Sequence, residues 1–215
     1  MELFIFSFAA LFSIMNPLGT VPIFVGLTKD STSKERNSVS FWTSLNVLII
    51  LLFSFFVGKY FLTFFGISLN SLKIAGGLII TSSGFALLTG KFNEHKGMKK
   101  EGVKRDLKTR SEIALTPLAI PMLAGPGTIS LLITYNQQYS EILQQLTIVG
   151  AIIFTSFTIY FILKGSHFIV KILGGSGINA LSRIIGFVVI AIGIEYIISA
   201  ILSIINNINY NIIQG

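Results

Sequence analysis

The chain has 215 residues, of which 52% are hydrophobic and 12% are charged, and its mean hydropathy is +0.79. An ordinary soluble domain carries about 25% charged residues, so this composition excludes that class and favours a protein embedded in a lipid bilayer. The sequence contains no cysteine, which excludes disulfide bonds, thiol catalysis and cysteine-ligated metals.

Six apolar stretches follow one another along the chain, and each approaches the length that a transmembrane helix needs, about 20 residues. The stretches are 3–27, 41–57, 74–90, 113–134, 146–163 and 184–205. The connections between them are short and leave no room for a second, soluble domain. The sequence therefore predicts an all-α, polytopic membrane protein with six transmembrane helices.

The basic residues predict how these helices are oriented. Fourteen of the sixteen lie in the connections 28–40, 91–112 and 164–183, and only Lys59 and Lys73 lie elsewhere. Cytoplasmic loops of membrane proteins are enriched in Lys and Arg. We therefore expect these three connections to be cytoplasmic and both chain termini to lie outside.

Residues of the two halves of the chain match at an offset of 109 positions. The matching pairs are Pro17 and Pro126, Gly66 and Gly175, Asn70 and Asn179, Gly77 and Gly186, and Gly84 and Gly193. Each half holds three predicted helices, so the second half would cross the membrane upside down relative to the first, as in many secondary transporters. Glycines that serve close helix packing alone are the alternative, but they do not explain the shared register of proline and asparagine.

The repeat divides the chain into four predicted segments. They are a three-helix repeat at 1–90, a basic cytoplasmic linker at 91–111, an inverted three-helix repeat at 112–205 and an external tail at 206–215. The charges of the linker are expected to fix the orientation, with binding of anionic lipid headgroups as the alternative. Nucleic acid is not an expected partner, because the linker has one aromatic residue and no nucleic-acid-binding motif.

The first and fourth predicted helices each carry a proline–glycine element near the middle. The elements are Asn16-Pro17-Leu18-Gly19 and Gly125-Pro126-Gly127. Proline removes a backbone donor and clashes with the preceding turn, and glycine permits non-helical backbone angles, so both helices are predicted to be broken. Kinks that serve packing alone are the alternative.

Two broken helices indicate a central polar cavity, because free backbone groups are tolerated in a bilayer only where protein or water covers them. A half-helix that begins at a break offers unpaired N–H groups and the positive end of its dipole, which suit a carboxylate. The candidate substrate-binding residues are Asn16, Pro17, Gly19, Thr20, Gly125, Pro126, Gly127 and Thr128. The glycines leave space for a small ligand only.

Polar residues inside two other helices are further candidates. Glu195 lies within the sixth helix, where a carboxylate is costly, and it is a candidate for proton coupling. The alternative is that Glu195 reaches headgroups or water at the outer end of the helix. Thr81, Ser82 and Ser83 in the third helix either line the cavity or bond back to their own helix.

Catalytic chemistry is not expected. His95 and His167 have no second ligand at a metal-binding spacing, and the sequence shows neither paired intramembrane acids nor a serine–histidine set. We therefore predict no enzymatic activity, no metal and no cofactor. Without an ATP-binding motif, energy for transport would come from an ion gradient or a partner, with H⁺ or Na⁺ as the candidate coupling ion.

The segments NPLGTVPIF at the first break and PLAIPMLAGPGTI at the second resemble the signatures of the MarC family of six-span bacterial membrane proteins, which are also described as small neutral amino acid transporters. The resemblance covers essentially the whole chain. It implies the bacterial cytoplasmic (inner) membrane, an inverted repeat, and glycine, alanine and similar amino acids as substrates. Two positions depart from the family pattern, since Thr20 and Glu195 stand where Asn and Gln are common.

The sequence thus predicts a secondary transporter that moves small neutral amino acids by alternating access. The substrate carboxylate would lie at the amino ends of the half-helices that begin at the two breaks. Two alternatives stay open, namely a channel or passive facilitator that uses the same cavity and a membrane partner protein without transport activity.

Overall fold

The computed structural model describes residues 2–28, 31–90 and 114–214, and every regular element within those ranges is a helix. In chain order the elements are α1 (Glu2–Met15), α2 (Pro17–Leu27), α3 (Ser33–Phe65), α4 (Leu69–Thr89), a π-helical segment (Ala114–Leu123), α5 (Pro126–Gln138), α6 (Ile142–Lys164) and α7 (Ser166–Gln214). The all-α prediction is confirmed for this part of the chain. The predicted linker 91–111 lies outside the described residues.

Four helices are long and apolar enough to cross a bilayer, namely α3, α4, α6 and the Ser166–Asn206 part of α7. A fifth candidate is the pair α1 and α2, which is bent by 43° at Asn16. Large apolar side chains such as Phe64, Phe187 and Ile142 are exposed on the helices, which is the surface that lipid rather than water would cover. The chain is therefore a polytopic membrane protein with four or five candidate spans among the described residues.

Local sequence explains where α3 and α4 begin and end. The Thr32 and Glu35 side chains each accept a hydrogen bond from the backbone N–H of the other residue, at 3.4 and 2.9 Å, and this capping box starts α3. Gly66 ends α3 in the left-handed conformation, with φ of 65°, and Gly90 ends α4 in the same way. Helix α3 thus begins eight residues before the predicted apolar stretch at 41–57.

Helix α7 differs from the predicted sixth helix at both ends. It begins at Ser166 within the predicted connection 164–183, and a non-helical residue, Gly174 with φ of 62° and ψ of 174°, interrupts it. The helix resumes at 175 and continues to Gln214, beyond the predicted end at 205. Because the chain is helical again from 175, residues that the sequence assigned to a loop lie on a packed helix.

Helices α4 and α7 approach each other so closely that backbone meets backbone. A Cβ atom at Gly77 would lie 2.6 Å from the carbonyl oxygen of Gly193, and a Cβ atom at Gly84 would lie 2.8 Å from that of Gly186. Small residues allow this approach in membrane proteins. Since the partner residue number falls as the α4 number rises, the two helices run antiparallel.

Helix α5 lies at the centre of the bundle. Its residues 130–136 are all buried, so the helix is covered around its whole circumference. It packs against α3 and α4, and its Leu131 and Leu132 belong to the apolar core together with Leu11 and Met15 of α1 and Phe55 of α3. Near the start of α5, Gly127 and Thr128 are buried as well, whereas Pro126 at its first position is exposed.

Substitution of Gly84 by Ala should destabilise the protein, because the added methyl group would meet backbone atoms of α7 that cannot rotate away. Overpacking of this kind costs about 1–3 kcal/mol, so the thermal unfolding midpoint in detergent should fall by several degrees. Gly26→Ala is the matched control, since no atom lies within 4 Å of a Cβ there. Equal midpoints for the two variants would contradict the close α4–α7 packing.

Candidate functional site

The break between α1 and α2 is centred on Asn16. Its φ of 44° and ψ of 64° are left-handed, and it is the one non-glycine residue with positive φ among the described residues. Asparagine adopts this conformation more readily than most residues, because its short polar side chain bonds locally. Pro17 then begins α2, since proline is well suited to the first position of a helix. The break thus lies where the sequence predicted it.

The Asn16 side chain is fully buried, with 0% exposure, yet only part of it is satisfied. Its Oδ1 accepts a hydrogen bond of 3.2 Å from the Gly19 amide and so caps α2. Its Nδ2 has no acceptor among the described residues. An unsatisfied buried donor costs about 1–3 kcal/mol, so this amide group indicates a place for a hydrogen-bonding solute or water.

The second break separates the π-helical segment from α5. The chain leaves the π-helix with a hydrogen bond of 2.8 Å from the Ala124 amide to the Ala119 carbonyl, and Gly125 is extended before Pro126 begins α5. Gly125 has no side chain, and no side-chain cap is formed at the start of α5. The first amides of α5, at Gly127 and Thr128, therefore have no side-chain cap, whereas the Gly19 amide has one.

The hydroxyl groups of Thr20 and Thr128 donate hydrogen bonds to backbone carbonyls at the breaks. Thr20 Oγ1 donates to the Asn16 carbonyl at 3.3 Å, and Thr128 Oγ1 donates to the Leu123 carbonyl at 3.4 Å. Both side chains are buried. The Asn16 carbonyl is at the N-cap of α2 and the Leu123 carbonyl is at the end of the π-helical segment. Each hydroxyl therefore bonds to the backbone beside a break and keeps acceptor capacity for a ligand donor.

The two breaks lie near each other. A Cβ atom at Gly127 would lie 2.9 Å from Ile80 Cγ1 of α4 and 3.7 Å from Ile14 Cγ2 near the end of α1. The uncapped start of α5 therefore packs against the last turn before Asn16. Gly125 and Gly127 are buried, whereas Pro126 is exposed and Gly19 is half-buried.

The side chain of Ser182, on α7, lies beside the first break. A Cβ atom at Gly19 would meet the Asn16 amide group and would lie 3.3 Å from Ser182 Oγ. Sequence reasoning missed this residue, because it assigned 164–183 to a connection. No periodic signal identifies Ser182, since only the resumption of α7 after Gly174 places it on a packed face.

The other predicted site residues do not gather at the breaks. Among the three candidate cavity hydroxyls, Ser82 is exposed, Ser83 is buried and Thr81 is half-buried against Gly193 of α7. Glu195 is exposed on the surface of α7. The structure therefore separates Glu195 and Ser82 from the buried polar groups around Asn16.

Two polar residues that the sequence analysis did not single out are the buried Thr134 of α5 and the half-buried Tyr196 of α7, whose hydroxyl is buried. Thr134 Oγ1 and the Tyr196 hydroxyl lie close together, and neither has any partner but the other among the described residues. Each of these residues could have been noticed in the sequence as a polar residue inside an otherwise apolar stretch. Within the described residues, no cluster of three or more His, Asp or Glu side chains that could hold a metal is found.

These features define the protein as a helical, multi-pass membrane protein with a polar break in its interior. The family model described as "MarC family integral membrane protein" matches residues 1–205, so the chain belongs to the MarC family. The resemblance seen in the two break segments is thereby confirmed.

Relatives from bacteria and an archaeon agree with this membership. The chain is 35% identical to the UPF0056 membrane protein YhcE of Escherichia coli, over 90% of this chain and 89% of the relative. It is 33% identical to the UPF0056 inner membrane protein MarC of Salmonella typhimurium (91% and 92% covered) and 35% identical to a UPF0056 membrane protein of Methanocaldococcus jannaschii (94% and 97%). No solved structure matches the chain.

Asn16→Ala should destabilise the protein more than Asn16→Gly. Both variants lose the cap on α2, worth about 1 kcal/mol for Ala but only a few tenths for Gly. The left-handed backbone conformation also destabilises the alanine variant by about 1–2 kcal/mol, whereas glycine adopts it freely. Thermal unfolding in detergent should therefore rank wild type and Asn16→Gly well above Asn16→Ala. Equal midpoints for the two variants would contradict the left-handed conformation of Asn16.

Proposed function

We propose that this protein is a secondary transporter that moves small neutral amino acids, of the glycine and alanine type, across the bacterial inner membrane. The observation that carries the proposal is the Asn16 side chain, which is fully buried beside a helix break and has an Nδ2 group without an acceptor among the described residues. Such a buried donor can form a hydrogen bond with a transported solute, which occupies the site during only part of the transport cycle.

The groups at the breaks match a small zwitterion. The uncapped Gly127 and Thr128 amides at the positive end of α5 suit a carboxylate, and Asn16 Nδ2 adds a further donor. The Thr20 and Thr128 hydroxyls and the carbonyls that they contact provide acceptors for an ammonium group. The Ile80 and Ile14 side chains beside Gly127 restrict the substrate to a small side chain.

The transport mechanism that we propose uses six spans in two inverted repeats, 1–90 and 112–205, joined by the cytoplasmic linker 91–111. Two sets of contacts support the repeat, because they recur when the halves are exchanged. Helix α1 packs on α6 as the π-helical segment packs on α3, and α2 packs on α7 as α5 packs on α4. The glycine contacts between α4 and α7 are likewise reciprocal. Rocking of one repeat against the other would expose the breaks to each side in turn.

The orientation in this proposal has both termini, including the tail 206–215, outside. It is supported by the concentration of Lys and Arg in the three connections 28–40, 91–112 and 164–183. Lys34 and Arg36 lie at the start of α3 and Lys164 lies at the end of α6, whereas Lys171 and Arg183 lie within α7.

Coupling to H⁺ or Na⁺ is part of the proposal, with Glu195 as the group that would carry a proton. Its support is the cost of a carboxylate within a membrane-spanning helix. Because Glu195 is exposed on α7 rather than beside Asn16, it would act at a distance from the substrate. Thr81, Ser82 and Ser83 stay proposed cavity residues, of which only Thr81 and Ser83 are at least half-buried.

Uptake of labelled glycine and alanine into proteoliposomes tests the proposal. We expect saturable uptake by the wild type and a reduction of about tenfold or more in Asn16→Gly, because a hydrogen bond to a charged group contributes about 1.5–3 kcal/mol. Glycine preserves the backbone at this position, so the variant removes the amide group without removing the break. Thr158→Ala, at an exposed hydroxyl of α6, is the matched control and should transport as the wild type does.

A proton gradient imposed on the same vesicles tests the coupling. Stimulation by the gradient that Glu195→Gln abolishes, while exchange of internal and external alanine persists, would support Glu195 as the proton carrier. Uptake that never saturates would favour a passive facilitator. Uptake no greater than in empty liposomes, from protein with a cooperative thermal transition, would overturn the proposed substrates and favour a membrane partner protein without transport.

A further inference from the structure

The glycines in the contact between α4 and α7 occur at corresponding positions of the two halves of the chain. The side chains that pack against these glycines differ between the halves. A Cβ atom at Gly77 would lie 3.2 Å from the Cβ of Tyr196, and a Cβ atom at the repeat-related Gly186 would lie 2.9 Å from the Cβ of Leu87. Tyr196 and Leu87 are themselves 109 positions apart. A tyrosine with a hydroxyl group thus occupies one end of the contact and a leucine occupies the other.

A second pair of positions repeats this difference. Thr81 Oγ1 lies against Gly193, whereas Ile190 Cγ1 would lie 2.7 Å from a Cβ atom at Gly84. Thr81 and Ile190 are again 109 positions apart, as are Gly84 and Gly193. At these two pairs of positions, the side chains nearer the start of α4 carry hydroxyl groups and those nearer its end are aliphatic.

Helix α5 extends the polar half. Ser130 Oγ donates to the Leu72 carbonyl of α4 at 3.2 Å and lies against Gly76. Thr134, one turn further along α5, is fully buried and lies beside the Tyr196 hydroxyl. The position related to Ser130 by the repeat is Val21, which is fully buried and aliphatic.

The polar half is not only rich in hydroxyls but also incompletely hydrogen-bonded. Thr81 Oγ1 is buried without a hydrogen-bond partner among the described residues, and the buried Thr134 and Tyr196 hydroxyls have at most each other there. Buried groups of this kind are normally satisfied by water or a solute. Val21, Leu87 and Ile190 offer no hydrogen-bonding side-chain group, so these three side chains provide nothing to bind water.

We infer that Ser130, Thr134, Tyr196 and Thr81 form a hydroxyl-lined passage for water and for uncharged or zwitterionic solutes, and that Val21, Leu87 and Ile190 form a dry seal on the opposite side. The passage opens toward the ends at which α4 begins and α5 finishes, which is the outer face in the proposed orientation. The inference rests on the repeat and the orientation of the proposed function. It adds to that function a route by which solute reaches the breaks from outside.

The lining groups also limit what the passage admits. Hydroxyl groups both donate and accept hydrogen bonds, and none of the four named side chains carries a charge. A zwitterion or water can exchange its hydrogen bonds with such a lining. A permanent ion would lose hydration without gaining a counter-charge, so the passage selects against it.

Cysteine labelling tests the passage directly, because the chain has no cysteine of its own. Ser130→Cys and Tyr196→Cys are placed in the passage, and their repeat-related controls are Val21→Cys and Leu87→Cys in the seal. A small, membrane-impermeant methanethiosulfonate would be applied to right-side-out and to inside-out vesicles. We expect the two passage cysteines to react from the outer face at least tenfold faster than either seal cysteine from either face.

Equal rates within each pair, labelling of Ser130→Cys and Tyr196→Cys only from the cytoplasmic face, or no labelling of either would overturn the inference. Total thiol measured in denaturing detergent confirms that each cysteine is present, and a cooperative thermal transition confirms folding. Should Tyr196→Cys fail to fold, the nearly isosteric Ser130→Cys and its control Val21→Cys decide the result alone. Labelling requires no transported substrate, so its outcome is separable from that of the uptake assay.

Discussion

A broken helix inside a bilayer leaves backbone N–H and C=O groups that lipid cannot satisfy, and this constraint governs the rest of the structure. At the first break, Asn16 Oδ1 accepts a hydrogen bond from the Gly19 amide, and the Thr20 hydroxyl donates one to the Asn16 carbonyl. At the second break, the Thr128 hydroxyl donates a hydrogen bond to the Leu123 carbonyl. Because residue 125 is glycine, the start of α5 has no side-chain cap. Asn16 Nδ2 at the first break and the uncapped start of α5 at the second are thus groups that water or a solute can satisfy, and the start of α5 packs against α1 and α4.

In the proposed inverted repeat, the two halves share a plan but differ in their side chains. Glycines at corresponding positions bring α4 and α7 together, while Tyr196 and Thr81 cover one end of the contact and Leu87 and Ile190 cover the other. A duplicated scaffold is well suited to alternating access, because both sides of the membrane can be reached by the same motion. In the proposed transporter, the chemical difference between the halves would allow one side to be hydrated while the other is closed.

Much of this architecture was predictable from particular residues. Composition predicted an all-helical membrane protein, and Pro17 and Pro126 predicted the positions at which new helices begin. The environment of the site was not predictable in the same way. Helices that are apolar on all sides have no polar face from which their rotation can be read, so the inward orientation of Thr134 and Tyr196 and the outward orientation of Glu195 were not apparent. The position of Ser182 depended on a single glycine conformation at Gly174.

The central claim is that a small amino acid binds at Asn16 and the start of α5. Solid-state NMR of the protein in lipid tests it directly, with ¹⁵N in the asparagine side chains and ¹³C in the carboxyl group of added alanine. The account predicts magnetisation transfer from the alanine carboxyl carbon to one side-chain amide nitrogen, whose signal is absent in the Asn16→Gly variant. Saturable binding of alanine without transfer to that nitrogen, or with transfer unchanged in Asn16→Gly, would contradict the account.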